Sequence, residues 1–152
     1  MLKLTKRTEY GLIALVHLAD REGDVVSARE IGEHYPVPKR LLAEALKALQ
    51  QEGVLDSTRG AHGGYRLARP AEEITLGDVV AALEGRPSLT SCEGLGAMER
   101  SGACEVEAVC PIRTPLQRLR SGIWDLLQGV SLRALADRSV KPADLFAAVK
   151  DQ

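Results

Sequence analysis

The stretch Val54-Leu55-Asp56-Ser57-Thr58-Arg59-Gly60-Ala61-His62-Gly63-Gly64-Tyr65-Arg66-Leu67 constrains this chain more than any other part of it. Two short β-prone runs flank a tip with three glycines, an Arg and a His, which predicts a β-hairpin with a basic tip. In the stretch before it, Pro38 to Gln51, Leu42, Ala45, Leu46 and Leu49 fall at i, i+3, i+4 and i+7, the inward face of an amphipathic helix. Lys39 and Arg40 occupy its first turn, Lys39, Ala43 and Lys47 lie on its other side, and Gly53 stops it. A cationic helix followed directly by an Arg/Gly hairpin has the order of a winged helix-turn-helix.

The rest of the chain fits that frame. Residues 6–20 form a helix with apolar Tyr10, Leu12, Ile13, Ala14, Leu15, Val16, Leu18 and Ala19, too wide a face for one surface, so it is covered on both sides. Residues 27–35 form a second helix, opened by the capping box Ser27-Ala28-Arg29-Glu30. Tyr35-Pro36-Val37-Pro38 is the turn, with Pro38 suited to the first position of the third helix. Thr75-Leu76-Gly77-Asp78 repeats the capping signature, with Ile74 placed to staple a helix that ends near Gly85. Residues 86–110 break the pattern with glycines, serines, mixed charge and all three cysteines, a loop held by something other than a core.

From Thr114 to Val130 a long helix carries Leu116, Leu119, Ile123, Leu126 and Val130, spaced 3, 4, 3 and 4. Such spacing is a short coiled-coil seam. It either packs on the chain's own first domain or pairs two chains, and pairing is the preferred reading because helix-turn-helix readers bind two-fold related half-sites. Ser131 and Pro142 open short terminal helices. Aromatic residues are only 3 % of the chain, so the core is Leu, Val and Ala, which favours helices. The fold class is therefore mainly α with a small β-hairpin wing. A winged helix-turn-helix domain spans 1–85, a cysteine-containing sensor loop 86–112, and a dimerisation helix with short C-terminal helices 113–152.

Net charge is −1, so the whole chain announces no polyanion partner, but residues 39–70 hold 6 Lys/Arg against 3 Asp/Glu. No apolar run approaches ~20 residues, so no membrane span is expected. Glu9, His17 and Asp20 interrupt the first apolar segment, which argues against a signal peptide. Three cysteines, an odd number, point to a reducing cytoplasm where thiols are reactive or metal-bound. An enzyme is not expected: there is no Ser/His/Asp arrangement and the histidines, 17, 34 and 62, are scattered. No Lys-Ser/Thr follows the wing glycines, so they form no phosphate loop.

The first turn of a helix in the major groove reaches deepest, so Arg40 suits bidentate contact with guanine, Lys39 a guanine or a phosphate, and Lys47 lies further along the helix. Ser27 is placed to donate to a phosphate or simply to cap its helix. At the hairpin tip Arg59 and His62 suit a narrow, electronegative minor groove, and Gly60, Gly63 and Gly64 let the backbone come close. Tyr65 either meets a phosphate or packs the wing. The partner implied is double-stranded promoter DNA.

Cys92, Cys104 and Cys110 are separated by 11 and 5 residues. Without a close CxxC pair, structural zinc is disfavoured. Iron–sulfur clusters take thiolates, usually four, so three cysteines leave one ligand to come from elsewhere.

Several motifs carry a family likeness: Leu4-Thr5-Lys6-Arg7-Thr8-Glu9-Tyr10-Gly11-Leu12, the wing Arg59-Gly60-Ala61-His62-Gly63-Gly64-Tyr65, Thr75-Leu76-Gly77-Asp78-Val79, and Cys104 and Cys110-Pro111 ahead of the leucine-spaced helix. Across nearly its whole length the chain resembles the winged-helix regulators that include the iron–sulfur assembly regulator IscR and the nitric-oxide sensor NsrR. The resemblance implies a cytoplasmic homodimer that binds palindromic promoter DNA as a repressor. A cluster, 2Fe–2S or 4Fe–4S, would control its affinity in response to redox change or nitric oxide. Cys104 and Cys110 match the last two family cysteines. Cys92 does not keep the usual interval, where Met98 stands, and Arg113 replaces the His that IscR-like members carry. NsrR-like members borrow an N-terminal carboxylate from the partner subunit, and Glu9 matches that position as the fourth ligand. Ala43 replaces the Glu some relatives use on the recognition helix. The alternative keeps the DNA function but places control in oxidation of Cys104 and Cys110, or in a partner protein, without a cluster.

Overall fold

The computed structural model describes residues 3–86, 88–89, 106, 109–141 and 144. Helix α1 (Lys6–Ala19) begins where the Thr5 hydroxyl accepts a hydrogen bond from Thr8 N–H. It is the central element: Ala14, Leu15, Leu18 and Ala19 are all but sealed, and α3 (Lys39–Gln51), α4 (Leu76–Glu84) and α6 (Leu132–Ala136) pack against it. The wide apolar face is covered from several sides, as its residues require.

Helix α2 (Ala28–His34) starts directly after its expected cap Ser27, but only half of the expected box forms. Ser27 Oγ accepts from Glu30 N–H at 3.1 Å, but the Glu30 carboxylate turns away to Arg21. Ionic attraction to a neighbouring helix end outcompetes the reciprocal cap. Pro38 precedes the first turn of α3 as its cap residue instead of opening it. Helix α3 then sinks Leu42, Ala45, Leu46 and Leu49, each no more than 2 % exposed.

Strands β1 (Leu55–Thr58) and β2 (Gly64–Leu67) pair antiparallel, from Leu55 opposite Leu67 to Thr58 opposite Gly64. Val26 adds a single bridge on the far side of β2, with N–H to O distances of 2.9 and 2.8 Å to and from Tyr65. The wing is thereby stitched to the chain that enters α2.

At α4 both halves of the capping box are present, Thr75 with Asp78, and Ile74 is fully buried beside it. Helix α5 (Arg113–Gln128) has no buried residue. The seam expected to run to Val130 stops short of it. Gly129 ends the helix, and Val130 is 2 % exposed within the protomer, because the chain there turns back along residues 71–76. Three hydrogen bonds hold that return: Leu76 N–H to Val130 O at 2.8 Å, Leu132 N–H to Ile74 O at 2.7 Å and Arg133 N–H to Ala71 O at 3.0 Å. Leu132 joins the main core, and Ser131 caps α6 as expected. The helix expected after Pro142 lies outside the described residues. Among the described residues no helix is long and apolar enough to cross a membrane.

Candidate nucleic-acid interface

With its apolar side spent on the core, α3 turns Lys39, Arg40, Ala43, Glu44 and Lys47 outward, all exposed. Arg40 Nε donates to Glu44 Oε1 at 2.8 Å, and the Arg40 side chain is 90 % exposed. An i,i+4 pair on the surface is worth only ~0.3–0.5 kcal/mol, so a guanine edge or a phosphate displaces Glu44 readily. No side chain caps the start of α3, which leaves its first-turn N–H groups directed outward beside Lys39 and Arg40.

The hairpin tip carries Arg59 and His62, both exposed and, among the described residues, without a carboxylate partner. The three wing glycines divide by role. Gly60 has φ +118° with open space around it and serves the turn itself. Gly63 and Gly64 also answer to close contacts inside the protomer. A Cβ on Gly63 would strike the Thr58 carbonyl and come within 3.0 Å of Gly60 O. One on Gly64 would strike the Val26 carbonyl and come within 2.9 Å of Ser27 N. Tyr65 is half-buried against the core and hydrogen-bonded through its backbone to Val26, so it packs the wing. The same stitching brings Ser27 to the base of the wing. Its hydroxyl is engaged as the α2 cap.

Of the cysteines, Cys110 is half-exposed and unpaired just ahead of α5, whereas Cys92 and Cys104 lie outside the described residues. Glu9 lies in the first turn of α1, where its carboxylate takes a hydrogen bond from Lys6 at 2.5 Å. That salt bridge is exposed and weak. Among the described residues no three His, Cys, Asp or Glu side chains converge as a metal-binding group. On α5, Leu119 is 54 % and Leu126 38 % exposed, with Leu116 and Ile123 half-exposed.

Two of the three histidines, scattered along the sequence, meet in space. His17 is buried, and its ring lies 5.2 Å from that of His34, which lies 4.7 Å from Tyr35. His17 Nδ1 is 3.3 Å from the Tyr35 hydroxyl, while Nε2 is buried with no hydrogen-bond partner among the described residues. Burial, then the Arg21 charge and His34, holds the His17 pKa below its ordinary value. This cluster joins α1 to the α2–α3 turn. The one sequence signal for it was the place of His17 three residues after Ala14, on the inward face.

Comparison with known proteins places this geometry. Residues 4–138 match the Rrf2 family, described as iron-dependent transcriptional regulator. Protein rrf2 of Nitratidesulfovibrio vulgaris is 37 % identical over 114 residues, 74 % of this chain and 73 % of that protein. CymR, the global cysteine regulator of B. subtilis, matches with a TM-score of 0.68 and 27 % identity over 90 % of this chain and 97 % of its own. IscR of T. potens matches with a TM-score of 0.61 and 25 % identity over 99 % of this chain and 88 % of its own.

Proposed function

The chain belongs to the Rrf2 family of transcriptional regulators, and from that premise we propose that it is a homodimeric repressor of promoter DNA, working in the cytoplasm, whose operator affinity is set by an iron–sulfur cluster. The observation that carries the DNA part is the division of α3. Leu42, Ala45, Leu46 and Leu49 fill the core, while Lys39, Arg40 and Lys47 stand outward on the opposite side. In this reading residues 1–85 are the reading unit. Arg40 takes guanine, Lys39 and Lys47 take phosphates or bases, and Arg59 and His62 enter the adjoining minor groove. Leu116, Leu119, Ile123 and Leu126 of α5 cover those of a second copy, which sets two reading helices about one turn, ~34 Å, apart.

The donor set suits a cluster: three thiols, of which Cys110 is unpaired, and a Glu9 carboxylate paired with an exposed lysine. Cys92, Cys104 and Cys110 would hold it, with Glu9 of the partner subunit as fourth ligand. Bound there, it would supply a redox- and nitric-oxide-reactive centre next to the dimer helix. Oxygen-free purification with iron and sulfide analysis tests this. Iron and sulfide are expected together in the protein, and their removal should change operator affinity. A colourless protein after reconstitution that still binds its operator would overturn the cluster.

A second reading, thiol control, is favoured by the likeness to CymR, which has been solved in an oxidized form in Staphylococcus aureus, and by Arg113 standing where IscR-like members carry a His. In it Cys104 and Cys110 lose two electrons and two protons to a peroxide, which leaves as water, and a disulfide forms. A mass loss of two hydrogens on those two cysteines after peroxide treatment, with altered operator affinity, would support this reading.

A further inference from the structure

At the C-terminal end of α5, the Gln128 side chain reaches into the reading unit. Gln128 Oε1 accepts a hydrogen bond from the Thr75 hydroxyl at 3.0 Å. That same hydroxyl accepts from Asp78 N–H at 3.0 Å, so Gln128 is wired into the capping box that starts α4. The Gln128 side chain also lies against Gly77. A Cβ on Gly77 would come within 2.8 Å of Gln128 Cδ and overlap its amide nitrogen. Gly77 is buried in the first turn of α4, where its missing side chain makes the seat for that amide. One turn back along α5, Trp124 receives Arg86, two residues past the end of α4, over its ring at 5.1 Å. Helix α4 in turn packs on both α1 and α3.

From this we infer that Gln128 is a positioning residue that fixes the angle between the dimerisation helix and the recognition helix, and so the half-site spacing the dimer accepts. The inference rests on the dimeric operator reading above. The lever is long: the 16 residues of α5 span about 24 Å, so a tilt of about 8° at Gln128 moves the far end by about 3.4 Å, the rise of one base pair. Adding or removing one base pair also rotates one half-site by about 34° relative to the other. A joint held by a seated amide and a hydrogen bond resists that change. A joint without them yields to it.

The test uses the full chain and palindromic duplexes with the half-sites at the best spacing and one base pair either side, together with an isolated half-site. Gln128→Ala removes the hydrogen bond, and Gly77→Ala expels the amide while improving helix propensity. Both are expected to leave half-site affinity and melting temperature near wild type, and to lower discrimination between spacings at least about fivefold. Gln128→Glu keeps the acceptor for Thr75 and should keep wild-type discrimination. Unchanged discrimination in both alanine variants would overturn the inference, as would an equal loss on half-site and full site, which marks mere structural damage. Failure of the wild-type chain to prefer any palindrome would overturn the operator reading and this inference with it.

Discussion

Helices α3 and α5 are both amphipathic, but the chain treats their apolar faces differently. In α3, four inward residues are sealed to 2 % exposure or less. In α5 nothing is buried, and Leu119 remains 54 % exposed. The first helix is completed by its own protomer and turns a charged face outward, whereas the second leaves an apolar stripe uncovered among the described residues, the stripe that the proposed dimer would cover. A single sequence thus contains one finished element and one unfinished element, joined through α4.

The contrast breaks most sharply under substitution. Leu46→Ala should cost the protomer about 3 kcal/mol in chemical denaturation, since the site is fully buried among α1 and α3. Leu119→Asp, equally drastic on paper, should shift protomer stability by no more than about 0.5 kcal/mol and instead dissociate the dimer in sedimentation. A large stability loss from Leu119→Asp would show that α5 packs within its own chain. Arg40→Ala sharpens the comparison on the outward side of α3. Binding to a specific operator should weaken by about 1–3 kcal/mol with relaxed choice at one base pair, as read in competition titrations, while the melting temperature stays put.

The smallest effect concerns the seam of the finished half. His17 titrates below its ordinary value of 6.5, chiefly through burial and then through Arg21 and His34. Above that value neither the folded nor the unfolded chain carries the proton. As the pH falls below it, the unfolded chain takes up the proton first, so stability is highest above 6.5 and declines on acidification. Denaturation midpoints should fall from about pH 7.5 to about 5.5 more steeply in the wild type than in His17→Phe. Equal slopes would remove His17 from the account.

What the sequence makes legible here is what acts locally. The period of α3, the glycine stop after it, the Thr75–Asp78 box and the strands of the hairpin are all settled within a few residues. What it hides depends on distant partners. Glu30 leaves its cap for Arg21, nine residues back. His17 finds His34 and Tyr35 only once α1 lies across the turn. The need for glycine at 64 shows only once Val26 is pressed against it. Val130 extends the heptad spacing perfectly well, yet the chain leaves the helix before reaching it, because residues 71–76 offer backbone partners that a further helical turn would forgo. Of the metal-binding candidates the sequence marked, Cys110 and Glu9 have a described place, each on or beside a helix that the fold positions independently.

The central claim is that two copies of this chain, paired through α5, grip one duplex with two α3 helices. Native mass spectrometry of the chain with a palindromic duplex selected from random DNA tests it directly. The account predicts a complex of two chains per duplex that a scrambled duplex of the same length does not form. One chain per duplex, or equal retention on the scrambled sequence, would contradict it.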